Sequence, residues 1–438
     1  MSSSKKSLPA LLLFLCSVII LLLGFYRNQW NVVREKKFKD FQMDSESLVM
    51  ARMVESRQNG IAAENGLLGW GDVHLPDLNE ADYLHQFDVY LSGGEFQTYS
   101  LYKSLSGFQA MVFSLFDGFS PFSPEINLRN FRALVSLLLA MTLSAFILWA
   151  LQEFGWLTAL LVLATTLVSQ WMTLFGRNLF YVIWASFLPL ALMLWFFVWE
   201  ERSAKSSDSR LAWLGFGSIL FKCMMNGYDF IVPTLAMTTV PLVYYGLRNR
   251  WERPRFFKRF GILSLAMLAA VFVSILILAA QLSASEGGFF GGIASILSTF
   301  SRRTYGDPDL YPLYAESLKA NPLSVLWIYL VKDTAINLAG LRFIDLIIIF
   351  AAFSALYLIV DRLKKGSLPD RGKSYSLLGA TWFSILSPIT WFLVFKGQAY
   401  VHTHTNYLAW HMPFTLFGFT LCGMVLRSLA ALFAARPR

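Results

Sequence analysis

The sequence predicts an all-α protein held in a membrane by about ten spanning helices, and three observations carry that expectation. Of 438 residues, 56% are hydrophobic and only 15% charged, whereas a soluble domain carries about 25% charged residues on its water-facing surface. The apolar residues fall in blocks of about 20, the length that crosses about 30 Å of hydrocarbon at 1.5 Å per residue. The basic residues behind the net charge of +9 cluster beside those blocks. That is the signature of the positive-inside bias, and it removes the case for a nucleic-acid partner. Cys16, Cys223 and Cys422 lie inside or at the end of apolar blocks and have neither disulfide-framework nor metal-ligand spacing.

The first block, Ser7 to Tyr26, follows Lys5 and Lys6 and runs into Arg27 without a small-residue cleavage site, so it reads as an uncleaved first span. A polar segment of roughly 27–130 comes next. Further blocks then lie near 132–151, 156–175, 181–199, 211–226, 228–247, 261–281, 342–360, 375–395 and 406–428. The segment 320–341 has Lys332 and Asp333 at its centre, a costly place for charge, and reads as an interfacial or re-entrant helix.

Orientation follows from charge near the span ends. Segment 248–259 holds six basic residues and one acidic one, 361–373 holds five and two, and Arg427, Arg436 and Arg438 follow the last span. Ten spans put all of these, with both termini, on the cytoplasmic side of what is expected to be a bacterial inner membrane. Five segments then face outward: 27–130, 174–181, 226–229, 282–341 and 396–406. The basic residues Arg27, Arg34, Lys36, Lys37 and Lys39 run against the bias, because they follow the first span on the outer side. The chain thus reads as a single membrane domain with outer loops at 27–130 and 282–341.

Most unusual polar residues fall in the outer segments. Asp44 and Glu46 open a stretch with Leu48, Val49, Met53 and Val54 apolar and Arg52, Glu55 and Arg57 mostly on another face, ended by Gly60. This predicts a short amphipathic helix on the membrane surface, in which Asp44 is either an N-cap or a functional carboxylate. Arg177, Asn178 and Tyr181 lie between two spans. Lys222 sits within a span, either snorkelling or functional, with Asp229 its nearest candidate partner across Gly227. The glycine-rich stretch before Arg302 and Arg303 suggests a binding loop in which the two arginines clamp a phosphate, or else a solvated turn. His402, His404, Asn406 and His411 form a last polar group. It lacks a third ligand at familiar metal-site spacing and suits a wall touching sugar or phosphate, or an interfacial belt.

A span followed by a large outer loop with the acidic pair of Asp44-Ser45-Glu46 resembles the GT-C glycosyltransferase superfamily. Tyr102-Lys103-Ser104-Leu105-Ser106-Gly107-Phe108-Gln109 is similar to a Tyr-x-Ser-x-x-Gly-x-Gln pattern of its bacterial members. The resemblance is best over residues 1–135. It implies an enzyme that moves a sugar from a polyprenyl-phosphate-linked donor to a glycan, lipid or protein acceptor at the membrane lipid surface. Such transfer needs a carboxylate to deprotonate or orient the acceptor hydroxyl, and positive charge on the leaving phosphate. Asp44 is then the base and Glu46 its helper or a metal ligand. Arg52, Tyr102, Gln109 and the outer polar residues named above would contact substrate. A divalent ion, Mg or Mn, is one way to supply the charge. An O-antigen polymerase or ligase, a lipid-linked-saccharide flippase and a non-catalytic assembly subunit are the competing readings. No Walker loop, dinucleotide glycine fingerprint, G-x-S-x-G elbow or H-E-x-x-H helix is present.

Overall fold

The computed structural model describes residues 4–73, 78–364, 368 and 370–434. It is a helical protein of the membrane-embedded class. The first helix, α1 (Ser4–Arg27), leads into α2 (Glu35–Asn59). There follow β1 (Leu68–Gly71), α3 (Glu80–Ser92), β2 (Tyr99–Tyr102) and α4 (Phe108–Phe119), with β1 and β2 antiparallel and Leu68 opposite Tyr102. The bundle continues through α5 (Pro124–Phe154), α6 (Trp156–Leu167), α7 (Gln170–Phe175), α8 (Trp184–Ser203), α9 (Asp208–Asn226), α10 (Ile231–Arg248) and α11 (Arg253–Leu282). Shorter elements come next: α12 (Phe289–Arg303), α13 (Ala315–Lys319), α14 (Pro322–Val331) and the ribbon β3 (Thr334–Ile336) with β4 (Leu341–Arg342). The chain ends with α15 (Phe343–Leu363), α16 (Arg371–Ser384), α17 (Leu386–Val394), α18 (Lys396–Val401) and α19 (Phe414–Ala434).

Among the described residues six segments are long and apolar enough to cross a membrane: Leu8–Arg27, Pro124–Phe154, Arg253–Leu282, Phe343–Leu363, Arg371–Val394 and Phe414–Leu432. The blocks expected at 181–199, 211–226 and 228–247 form α8, α9 and α10, which pack inside the bundle with Met193, Ile219 and Met237 inaccessible. Segment 320–341 contains no helix long enough to cross a membrane. Its helix α14 has ten residues, about 15 Å at 1.5 Å per residue, and the chain then turns into a ribbon.

The two ends of the bundle differ. At one, ion pairs tie the helix termini together. Glu153 accepts from Tyr244 (3.0 Å) and Arg248 (2.6 Å), and Glu200 holds Arg259 through two bonds of 2.8 Å. Asp361 accepts from Arg371 (3.0 Å) and Tyr375 (2.9 Å). At the other end, α2, the β1–β2 ribbon, α3 and α4 form a cap over the helices.

The helix expected around Asp44 begins earlier and is buried more fully than an amphipathic surface helix. It starts at Glu35, so Asp44 stands in its interior and is not a cap. From Ser45 to Glu55 it is buried all round, because the bundle covers one side and the cap the other. Gly60 ends it with φ 92°, a left-handed conformation for which glycine carries no side-chain penalty.

Candidate active site

Arg34, Lys36, Lys37, Asp40, Phe41, Asp44, Leu174 and His404 line a cavity of 480 Å³ at the capped end. Helix periodicity explains the α2 contribution, since Lys37, Asp40, Phe41 and Asp44 recur at three- and four-residue intervals on one face. His404 arrives from the turn after α18. The segments around residues 44 and 404, far apart in the chain, therefore meet at the same end of the bundle.

The Asp44 side chain is solvent-exposed in this open cavity, and partial desolvation by the protein around it pushes its pKa above the usual carboxylate range. His404 and a hydrogen bond with Tyr83 of α3 oppose the rise. The His404 imidazole is pulled below its ordinary value by burial, against the attraction of Asp44. His402, whose ring centre lies 5.7 Å from that of His404, is lowered to about 4 by burial, by His404 and by Arg303. It is therefore neutral at physiological pH.

Arg303 continues the chain of polar groups. It projects from the last turn of α12, with Nη1 3.8 Å from an Asp229 carboxylate oxygen and Nη2 donating to the Tyr102 hydroxyl at 3.4 Å. Tyr181 stands within electrostatic reach of charged groups from both regions. Its ring stacks on Phe41 at 5.6 Å, and Asp229, Asp44, Tyr102 and Arg303 all act on its hydroxyl.

A second cavity of 140 Å³ adjoins Arg303 and is mostly apolar. Ile231, Val271, Ile275, Leu278, Ile296, Phe300 and Phe395 line it, and Lys103, Ser104, Tyr228, Thr299 and Arg303 supply its polar groups. Lys103 is paired with Glu286 at 2.5 Å.

Several residues expected at the site are committed elsewhere. Glu46, two positions from Asp44, points to the far side of α2 and is inaccessible to solvent. One carboxylate oxygen accepts from Arg132 (Nε 2.9 Å, Nη2 2.5 Å) and the other from the Leu179 amide (3.0 Å). It locks α2 to α5 and is neither helper base nor metal ligand. Arg52 is inaccessible and donates to the carbonyls of Ile61 (2.7 Å), Ala63 (2.7 Å) and Leu67 (3.4 Å), which folds the loop after α2. Asn178 bonds Ser45 at 2.6 Å and accepts from the amides of Phe180 and Tyr181, both at 3.0 Å, and so sets the turn that presents Tyr181.

Arg177 donates to the Tyr26 carbonyl at 3.0 Å and lies 4.1 Å over the Phe38 ring. Lys222 donates to the carbonyls of Gly227 (2.8 Å) and Asp229 (2.6 Å), where it satisfies the broken end of α9. It meets Asp229 through the backbone, and the Asp229 carboxylate goes to Arg303. Asn406 accepts from Trp391 and donates to the His402 carbonyl, each at 3.0 Å. His411 is buried between Ser169 (3.0 Å) and Thr415 (2.8 Å).

The two arginines expected to clamp one phosphate diverge. Arg302 turns to Thr299 (3.2 Å) and the Tyr314 ring (5.7 Å), because adjacent helix positions point about 100° apart. The glycines before them bound a helix: Gly287 and Gly288 have φ of 70° and 119° at the start of α12.

The Tyr-Ser-Gly-Gln pattern is realised as the end of β2, a turn and the start of α4. Gly107 has φ 67°, and a Cβ there would lie 2.3 Å from the Gly66 carbonyl oxygen, so the turn excludes a side chain. Gln109 is buried with its amide nitrogen unpaired.

Sequence reasoning missed Tyr83, Asp40, Lys37 and Lys103. Three of them had a legible signal: Lys37 and Asp40 precede Asp44 by seven and four residues, on its helical face, and Lys103 lies inside the quoted pattern. Tyr83 had none, since only the fold of the cap brings α3 to Asp44.

Among the described residues no group of three or more His, Cys, Asp or Glu side chains is arranged to hold a metal ion. Comparison with protein-family models, with curated proteins and with solved structures finds no match to this chain.

Proposed function

We propose that the chain is a membrane glycosyltransferase of the GT-C type, moving a sugar from a polyprenyl-phosphate donor to an acceptor hydroxyl on the extracytoplasmic face. The observation that carries the reading is a carboxylate and a guanidinium from remote parts of the chain, each lining a cavity, with the guanidinium's cavity mostly apolar. Between them stand His404 and His402, whose ring centres are 5.7 Å apart, and Tyr181, which feels the charges of both Asp44 and Arg303. The groove beside Arg303 suits a lipid tail ending in a phosphate.

In this scheme the donor's tail lies along the groove and its phosphate meets Arg303 and Lys103. Asp44 takes the proton of the acceptor hydroxyl. The acceptor oxygen bonds to the anomeric carbon as the carbon–oxygen bond to the phosphate breaks, and the leaving polyprenyl phosphate keeps that electron pair. Arg303, oriented by Asp229 and Tyr102, stabilises the charge that grows on it. Ten passes, by α1, α5, α6 with α7, α8, α9, α10, α11, α15, α16 with α17, and α19, would bring the start of α1 and the end of α19 to the ion-paired end. The Lys/Arg bias makes that end cytoplasmic. A transporter would gather its polar groups at mid-bilayer, whereas these collect at one end.

Arg303→Gln is expected to lower turnover about 10²–10³-fold, as loss of one charge-stabilising donor does elsewhere, with Arg303→Lys recovering part of it. The assay is transfer from radiolabelled polyprenyl-phosphate sugars by purified protein. An unchanged rate in an Arg303→Gln protein of normal melting temperature contradicts the assignment.

A further inference from the structure

The basic run after the first span is the feature that topology does not explain. The positive-inside bias depletes Lys and Arg on the outer side of a span, yet Arg34, Lys36 and Lys37 stand there and line the cavity that holds Asp44. Lys39, in the same run, is spent on an exposed pair with Glu35 at 3.3 Å. Lys37 lies 4.5 Å over the Trp171 ring and 4.0 Å from Asp333. Among the described residues Arg34 and Lys36 have no carboxylate within ion-pair distance. The lining also carries Asp40 and Asp44, so three cations face two carboxylates. Arg34, Lys36 and Lys37 occupy the start of α2, while Asp44 stands seven residues beyond Lys37, about 10 Å along the helix axis.

We infer that the acceptor carries a phosphate, held by Arg34, Lys36 and Lys37 while its hydroxyl reaches Asp44. The inference rests on the glycosyl-transfer reading for the word acceptor, but the phosphate site stands on the cavity alone. Arg34 and Lys36, exposed at the start of α2 without a carboxylate partner, can take an anion without giving up an ion pair, and Lys37 adds a third charge beside them. The phosphate is either that of a soluble phosphorylated saccharide or that of a lipid headgroup.

The experiment measures binding, so it needs no turnover. The full chain in phosphatidylcholine nanodiscs is titrated with lactose phosphate and with lactose. In a second arm, native mass spectrometry compares retention of phosphatidic acid with that of phosphatidylcholine. The expected result is that one phosphate probe binds better than its phosphate-free counterpart and loses at least tenfold in affinity in the Arg34→Gln/Lys36→Gln protein. The Lys39→Gln protein should bind as the wild type does. Binding in the first arm assigns a soluble acceptor and in the second a lipid. No preference for either phosphate probe, or equal binding by the double variant, overturns the site. An Asp44→Asn protein that keeps full transfer activity would sink the glycosyl-transfer reading and leave this result standing.

Discussion

Asp44→Asn is expected to lower sugar transfer about 10²–10⁴-fold, the range that a positioned general base contributes. The protein should fold normally, because the side chain opens to a cavity and the Asn amide oxygen still accepts the Tyr83 hydrogen bond. The pH profile is a finer test. Partial desolvation raises the Asp44 pKa, so the base form is present above that raised value. Activity should fall as pH drops through it, higher than an ordinary carboxylate would allow. Tyr83 donates a hydrogen bond that favours the charged form. Tyr83→Phe should therefore move the acid limb to higher pH while sparing the plateau rate. A purely structural Tyr83 would change the plateau or the melting temperature and leave the limb in place.

Glu46→Ala is expected to give the largest loss of stability. It removes one partner of a buried ion pair and leaves Arg132 and the Leu179 amide without an acceptor. Breaking a buried pair from one side costs about 3–5 kcal/mol, a large share of the 5–15 kcal/mol that folds a typical domain. Thermal melting in detergent should show a large drop, partly restored in a Glu46→Met/Arg132→Leu protein that buries neither charge. A metal-binding or catalytic Glu46 predicts the opposite pattern, in which activity is lost at an unchanged melting temperature.

Asp44 and Glu46 together show what was legible in the sequence and what was not. The acidic pair lies within one turn of α2, but spacing could not say which carboxylate faces the cavity. Two residues apart on a helix is about 200° of rotation, so one member had to turn inward, and only the position of Arg132 in α5 decides that it is Glu46. The helical class was legible because crossing hydrocarbon demands long apolar runs. The burial of α2 was not, since its polar residues find partners in segments far away in sequence. Asn178, Lys222, Asn406 and His411 were singled out for being polar in apolar surroundings. That criterion finds groups that satisfy the backbone at broken helix ends as readily as groups that meet a substrate. Arg303 and His404 differ from them in one respect: each faces a cavity.

The central claim is tested most directly by incubating the purified chain in nanodiscs with a panel of polyprenyl-phosphate sugars and measuring the polyprenyl phosphate released. The account predicts release from at least one donor, abolished in both the Asp44→Asn and the Arg303→Gln proteins at normal melting temperature. Release that persists unchanged in both variants, or a complete panel from which the wild type frees no polyprenyl phosphate, would contradict it.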